Sequence, residues 1–208
     1  MTARYLALGD SYTIGEGVAA EDRWPAQLVR LLREGGTQIA DPQIIARTGW
    51  TTAQLADAVR LEAPRAGFDV VTLLVGVNDQ YAGAPVAQYE PLFAALLGRA
   101  IELAGGLASR VIVLSIPDWG VTPFALAEGR DPERVARELA AYNSVNRAAA
   151  RARNASYVDI TPASRAVAGD GGLLVADGLH PSARLYAQWA QMARAPALEA
   201  LSGLTEFA

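Results

Sequence analysis

His180 is the only histidine in a 208-residue chain that contains no cysteine and no lysine. Chemistry that uses an imidazole as general base near neutral pH has a single possible source here. His180 sits in Asp177-Gly178-Leu179-His180-Pro181-Ser182. A hydroxyl that it could activate stands near the other end of the chain, in Leu8-Gly9-Asp10-Ser11-Tyr12-Thr13. A serine hydroxyl is a poor nucleophile until a base removes its proton. The base must in turn be held in one tautomer and tolerate positive charge, which a carboxylate does by accepting its other ring N–H. Asp177 lies within local reach of His180. Attack on an acyl carbon also creates an oxyanion, which needs donors. The backbone N–H groups of Ser11 and Gly49 and the side-chain amide of Asn78 could converge on it. Glycine at position 49 would let the backbone approach a substrate closely. Asp10 reads as a turn residue that hydrogen-bonds the backbone, not as an acid or base.

For these groups to meet, the elements that carry them must end on one rim. Short apolar runs at 4–8, 43–46, 68–75, 110–116 and 156–160 alternate with helical stretches at 24–33, 51–61, 86–103, 132–153 and 182–201. Thr51 and Gln54 form a capping-box pattern, and Asp131-Pro132 forms an N-cap followed by proline at the first helical position. The segment Asp69-Val70-Val71-Thr72-Leu73-Leu74-Val75 is nearly continuously apolar, as a strand buried on both faces must be. The β-α alternation predicts a parallel sheet covered by helices on both faces, with ligands at the carboxyl ends of the strands. Gly9-Asp10-Ser11, Arg47-Thr48-Gly49-Trp50, Gly76-Val77-Asn78-Asp79 and Pro117-Asp118-Trp119-Gly120 each follow a strand, and Asp177 and His180 lie in the loop after the fifth. No repeat or linker divides the chain, so a single domain over 1–208 is expected. The longest irregular stretches, 117–130 and 161–179, are of a length that usually builds a site or is mobile.

Taken together, Gly9-Asp10-Ser11, Gly49, Gly76-Val77-Asn78-Asp79 and Asp177-Gly178-Leu179-His180-Pro181 resemble the four sequence blocks of the SGNH hydrolases, the GDSL esterase/lipase family. The resemblance covers residues 4 to about 190, in the family's order. It implies a flavodoxin-like three-layer α/β/α sandwich with a five-stranded parallel sheet. It also implies a carboxylic ester hydrolase with Ser11 as nucleophile, His180 as base and Asp177 as the third triad member. Ser11, Gly49 and Asn78 would form the oxyanion hole. Tyr12 stands where the family's name motif usually has leucine. The α/β-hydrolase elbow is a poorer match, because Thr13 occupies its second glycine.

The composition narrows the function further. Hydrophobic residues make up 51% and charged residues 19%, which fits a globular fold. The 18 cationic residues, all arginine, are scattered and the net charge is −4, so no nucleic-acid footprint is expected. Without cysteine there is no thiolate metal site, and one histidine cannot build a histidine-rich one; no metal or cofactor is expected. The apolar run at 6–8 is too short for a signal peptide or a membrane span, so the expectation is a soluble cytoplasmic protein. Trp50, Tyr81, Trp119 and Phe124 fall in the rim loops, either as core packing or as an apolar wall for a small ester substrate. The expected activity is hydrolysis of short-chain acyl or aryl esters through an acyl-enzyme. Carbohydrate O-deacetylation, lysophospholipid or thioester cleavage and an inactive binding module of the same fold are the alternatives. Oligomeric state is not legible in the sequence.

Overall fold

A computed structural model of the chain describes residues 2–202; Met1 and residues 203–208, at the ends of the expected domain, lie outside the described residues. The elements run β1 (Tyr5–Gly9), α1 (Ser11–Ile14), α2 (Trp24–Glu34), β2 (Gln43–Ala46), α3 (Thr52–Glu62), β3 (Val70–Leu74), α4 (Val77–Tyr81) and α5 (Val86–Leu103). They continue β4 (Val111–Leu114), α6 (Pro123–Ala127), α7 (Pro132–Ala152), β5 (Ser156–Val158), α8 (Thr161–Ser164) and α9 (Ala183–Ser202).

All five strands pair in parallel in the order β2-β1-β3-β4-β5. Every residue of β1, β3 and β4 is buried. That burial is the physical reason these segments read as unbroken apolar runs, since helices cover both faces. A fully buried Leu or Val side chain contributes about 1.5–3 kcal/mol, so the three central strands fix the frame on which the loops hang. The hydroxyls inside them, of Thr72 and Tyr5, meet at 3.0 Å, which satisfies both buried groups. Helices α2 and α9 pack on each other, and α3, α5 and α7 pack in series, giving the α/β/α sandwich. No described helix is long and apolar enough to cross a membrane.

Strand order 2-1-3-4-5 has its topological switch point between β1 and β3, because the chain leaves β1 toward one edge and returns through β3 toward the other. The loops there diverge and open a crevice at the carboxyl ends of the strands. Ser11 follows β1 and Asn78 follows β3, so both stand at the crevice. The larger helices and the strands fall where the sequence pattern places them, to within two residues at their ends. The short helices α1, α4, α6 and α8 do not appear in that pattern, since four or five residues cannot display a 3.6-residue period. Two of them break the long irregular stretches at 117–130 and 161–179.

Candidate active site

Each part of the site is set by its own loop. At the end of β1 the chain turns sharply into α1. Asp10 caps this turn, its Oδ1 accepting the backbone N–H of Tyr12 at 3.0 Å. Gly9 leaves no room for a side chain: a Cβ would press on Thr13 Oγ1 and lie 2.6 Å from the Leu74 carbonyl oxygen. The next residue but one, Ser11, is therefore held at the sheet end by close backbone packing. Asp10 is fully buried, which pushes its carboxyl up to about 7; the Tyr12 N–H opposes the shift and the nearby Asp79 charge adds to it.

The loop after β2 carries Gly49 in a left-handed conformation, φ +83°. No atom lies within 4 Å of a Cβ built there, so the glycine answers a backbone requirement and leaves its side open to the cavity. Two contacts stitch this loop to the one after β3. Asn78 Nδ2 donates to the Trp50 carbonyl at 2.9 Å. Asp79 Oδ2 accepts from both the backbone N–H of Thr52 at 2.9 Å and its hydroxyl at 3.0 Å. Burial raises the Asp79 carboxyl, against the pull of the Thr52 hydrogen bonds. The amide of Asn78 has two N–H groups; with one on Trp50, the plane of the amide is set and the other is available to a ligand.

The loop after β5 brings the imidazole. Asp177 Oδ1 accepts the backbone N–H groups of Leu179 at 2.8 Å and His180 at 2.9 Å. Asp177 Oδ2 lies 2.6 Å from His180 Nδ1. Burial raises the Asp177 carboxyl, but the hydrogen bonds from the His180 ring and from the two backbone N–H groups outweigh it and hold the group below its ordinary value. An anionic carboxylate at Nδ1 requires that nitrogen to carry a proton, so that in the neutral ring it is Nε2 that has the lone pair. The ring of Tyr12 packs against the imidazole with centroids 5.7 Å apart.

These loops surround one cavity of about 220 Å³. Ser11, Gly49, Asn78 and His180 line it, together with Tyr81, Trp119 and Phe124. Asp177 stands behind His180. Trp119 packs on Tyr81 at 5.4 Å and on Phe124 at 6.4 Å between centroids, and its indole N–H donates to Gln80 Oε1 at 2.8 Å. Of the nine residues singled out in the sequence, Trp50 alone is neither in the cavity wall nor bonded to a wall residue through its side chain. Its ring is half-buried against the core, and its carbonyl orients Asn78. Among the described residues no group of three or more histidine, cysteine or acidic side chains could hold a metal ion.

One small cavity thus gathers a serine, an imidazole backed by a carboxylate, a glycine loop and a side-chain amide. The sequence model of the GDSL-like lipase/acylhydrolase family matches residues 7–188. The chain belongs to this family. Family membership makes it an enzyme of the ester-hydrolase class. The fold is shared with solved structures at low sequence identity. One is TesA, with 21% identity, 95% of this chain and 99% of that chain covered, and a TM-score of 0.73. Another is a lipase/acylhydrolase from Enterococcus faecalis, with 23% identity, coverage of 93% and 94%, and a TM-score of 0.68. A third is Axe2, an acetyl-xylooligosaccharide esterase from Geobacillus, with 19% identity, coverage of 97% and 96%, and a TM-score of 0.68. No curated protein matches the chain significantly in sequence.

Sequence reasoning does not reach several residues of the site. Thr52, the partner of Asp79, reads as ordinary helix start. Leu179 and Val77 line the cavity but look like loop filler. Gln80 and Glu138, which hold Trp119 through Gln80 Nε2 donating to Glu138 Oε2 at 2.7 Å, carry no local signal because they are 58 residues apart.

Proposed function

We propose that this chain hydrolyses carboxylic esters with short acyl groups through an acyl-enzyme on Ser11. The observation that carries the reading is the 2.6 Å contact of Asp177 with His180 Nδ1, beside a cavity that Ser11 and His180 share. In the first half-reaction His180 Nε2 takes the proton of Ser11 Oγ as the oxygen bonds to the acyl carbon. The carbonyl π pair moves to oxygen, and the N–H groups of Ser11, Gly49 and Asn78 Nδ2 receive that oxyanion. Each such donor is typically worth about 3 kcal/mol of transition-state stabilisation. Collapse expels the alcohol, which takes its proton from His180. In the second half-reaction water gives a proton to His180 and bonds to the acyl carbon. Collapse then releases the acid and returns the proton to Ser11.

A cavity of about 220 Å³ is smaller than the roughly 300–1,000 Å³ of sites that enclose a drug-sized ligand, which favours short acyl chains over long ones. Sugar O-deacetylation is the second reading that this size favours, since an acetyl group is the smallest common acyl unit. Its walls of Tyr81, Trp119, Phe124 and Leu179 suit an uncharged acyl or aryl group.

The test is Ser11→Ala assayed on 4-nitrophenyl acetate, with a fluorophosphonate probe on the native protein. Loss of turnover in a folded variant, and probe labelling at Ser11, are expected. Turnover that survives the substitution refutes the nucleophile, and a native protein that neither labels nor turns over is a binding module. A ladder of 4-nitrophenyl esters of growing chain length, with an acetylated sugar beside it, separates the aryl-ester and sugar readings.

A further inference from the structure

A second, larger groove of about 840 Å³ lies beyond the aromatic wall of the catalytic cavity, and Tyr81 borders both. It runs between the end of α4, the segment after α6 and the first turns of α7. The two cavities share Tyr81 in their walls, so a substrate that extends past Tyr81 from the catalytic cavity meets this groove.

One cation stands at that junction. The Arg130 guanidinium carbon lies 4.7 Å from the centroid of the Tyr81 ring and 5.7 Å from that of Trp119. Its backbone is anchored by an N–H donated to the Ala125 carbonyl at 2.9 Å. The groove holds three arginines, Arg130, Arg134 and Arg137, and three acids, Glu128, Asp131 and Glu138, so its bulk charge selects nothing. What differs is how each is already committed. Arg134 Nε donates to Glu138 Oε1 at 2.8 Å, and Gln80 Nε2 occupies Glu138 Oε2 at 2.7 Å. Arg137 faces Glu133 at 3.6 Å, and Asp131 Oδ1 caps α7 through the Glu133 N–H. Arg130 makes no ion pair among the described residues; its guanidinium lies over the aromatic wall, and its charge reaches Glu138 only at longer range, helping to hold that carboxyl below its ordinary value. A stacked guanidinium keeps its in-plane N–H groups free for a forked contact with a carboxylate or phosphate.

We propose that Arg130 is a specificity-determining residue, which binds an anionic group carried by the ester several bonds away from the scissile carbonyl. The substrate class is then an ester with a remote carboxylate or phosphate, its reacting end in the catalytic cavity and its charged end across Tyr81. The proposal rests on the reading of Ser11 as nucleophile for its kinetic test, and a binding measurement frees it from that reading.

Matched substrates provide the kinetic test. On the acyl side, 4-nitrophenyl hydrogen adipate is compared with its neutral methyl ester. On the alcohol side, the acetate ester of 4-hydroxyphenylacetic acid is compared with its neutral primary amide and with a trimethylammonium analogue. The native enzyme is expected to favour the anionic member of at least one pair by about tenfold in kcat/KM, a size suited to a charge-assisted contact at a half-exposed site. Arg130→Gln should bring that ratio toward one through KM and not kcat, and added salt should do the same in the native enzyme. A ratio untouched by the substitution, or a preference for the cationic analogue, which Glu128 would serve, overturns the proposal. Calorimetry with Ser11→Ala protein measures binding of the same anionic esters without turnover. About tenfold weaker binding on adding Arg130→Gln supports the assignment, and unchanged binding refutes it. If the native enzyme turns over neither member of a pair, the esterase reading fails and the calorimetry still decides the role of Arg130.

Discussion

Replacing Asp79 by alanine tests whether the site depends on a strut that touches no substrate. Asp79 Oδ2 accepts two hydrogen bonds from Thr52, at 2.9 and 3.0 Å, and both partners are buried. These bonds hold the start of α3, and through it the Gly49 loop, against the helical turn that carries Asn78. Leaving two buried donors unsatisfied costs about 1–3 kcal/mol each. Against this stands the relief of burying a carboxyl whose protonated form the fold already favours. The net loss of stability is therefore expected at about 1–3 kcal/mol, readable as a lower urea midpoint with an unchanged slope. Catalysis should suffer more than stability. On the proposed acyl-enzyme reading, drift of the Gly49 N–H out of line removes one oxyanion donor, about 3 kcal/mol, or roughly a hundredfold in kcat, with KM little changed. Asp79→Asn retains an acceptor oxygen and should lose less on both counts. The assay is steady-state hydrolysis of 4-nitrophenyl acetate beside urea unfolding. An alanine variant within twofold of native kcat would refute the coupling of this strut to the oxyanion donors.

Two further substitutions probe Asp177, bonded to the imidazole, and Asp10, buried beside Ser11. Asp177→Asn keeps the shape of the loop but can donate to Nδ1, which places the proton on Nε2 and blocks its use as a base. The expected loss is on the order of 10³-fold or more in kcat with the fold retained, and a fall under tenfold would count against the orientation argument. Asp10→Asn concerns stability and pH. The native carboxyl, pushed to about 7 by burial, holds its proton where the unfolded chain, near 3.8, has already lost it. Native stability should therefore decline from about pH 4 to pH 7 and level off above, since over that range the native state binds more protons than the unfolded one. The asparagine variant lacks this slope, so its advantage over the native protein should grow between pH 5 and pH 8 by on the order of 3 kcal/mol, measured by urea midpoints. Parallel stability curves would show that Asp10 ionises as easily inside the protein as outside it.

Much of the frame is legible in the residues because its causes are local or periodic. The run Leu6-Ala7-Leu8 reads as a strand and Val70-Val71-Thr72-Leu73-Leu74 as a strand covered on both faces, and both are fully buried in the sheet. The capping box at Thr51 and Gln54 forms as its spacing requires, and Asp131 with Pro132 opens α7. Asp10 acts as a cap on the backbone, as its place in a Gly-Asp-Ser turn suggests. Trp50 takes the core-packing role of the two that its position leaves open. An aromatic residue in a rim loop looks like cavity wall, yet the direction of its ring depends on how the loop packs, and the backbone carbonyl is what reaches the site.

The chain's own residues determined which chemistry was available. With His180 as the sole imidazole and each polar turn placed after a strand, an imidazole, a serine hydroxyl and backbone and side-chain amides gather at one end of a parallel sheet. This follows from β-α alternation, which is a short-range property. Tertiary structure alone decided how large the cavity between them is and what braces it. The Asp79–Thr52 and Asn78–Trp50 contacts span 27 and 28 residues, and Trp119 is held by Gln80 across 39. It also decided that Arg130 lies over Tyr81 and Trp119, at the mouth of a second groove. Such pairings depend on the relative placement of distant loops, set by packing of the whole core, and leave no periodic trace along the chain.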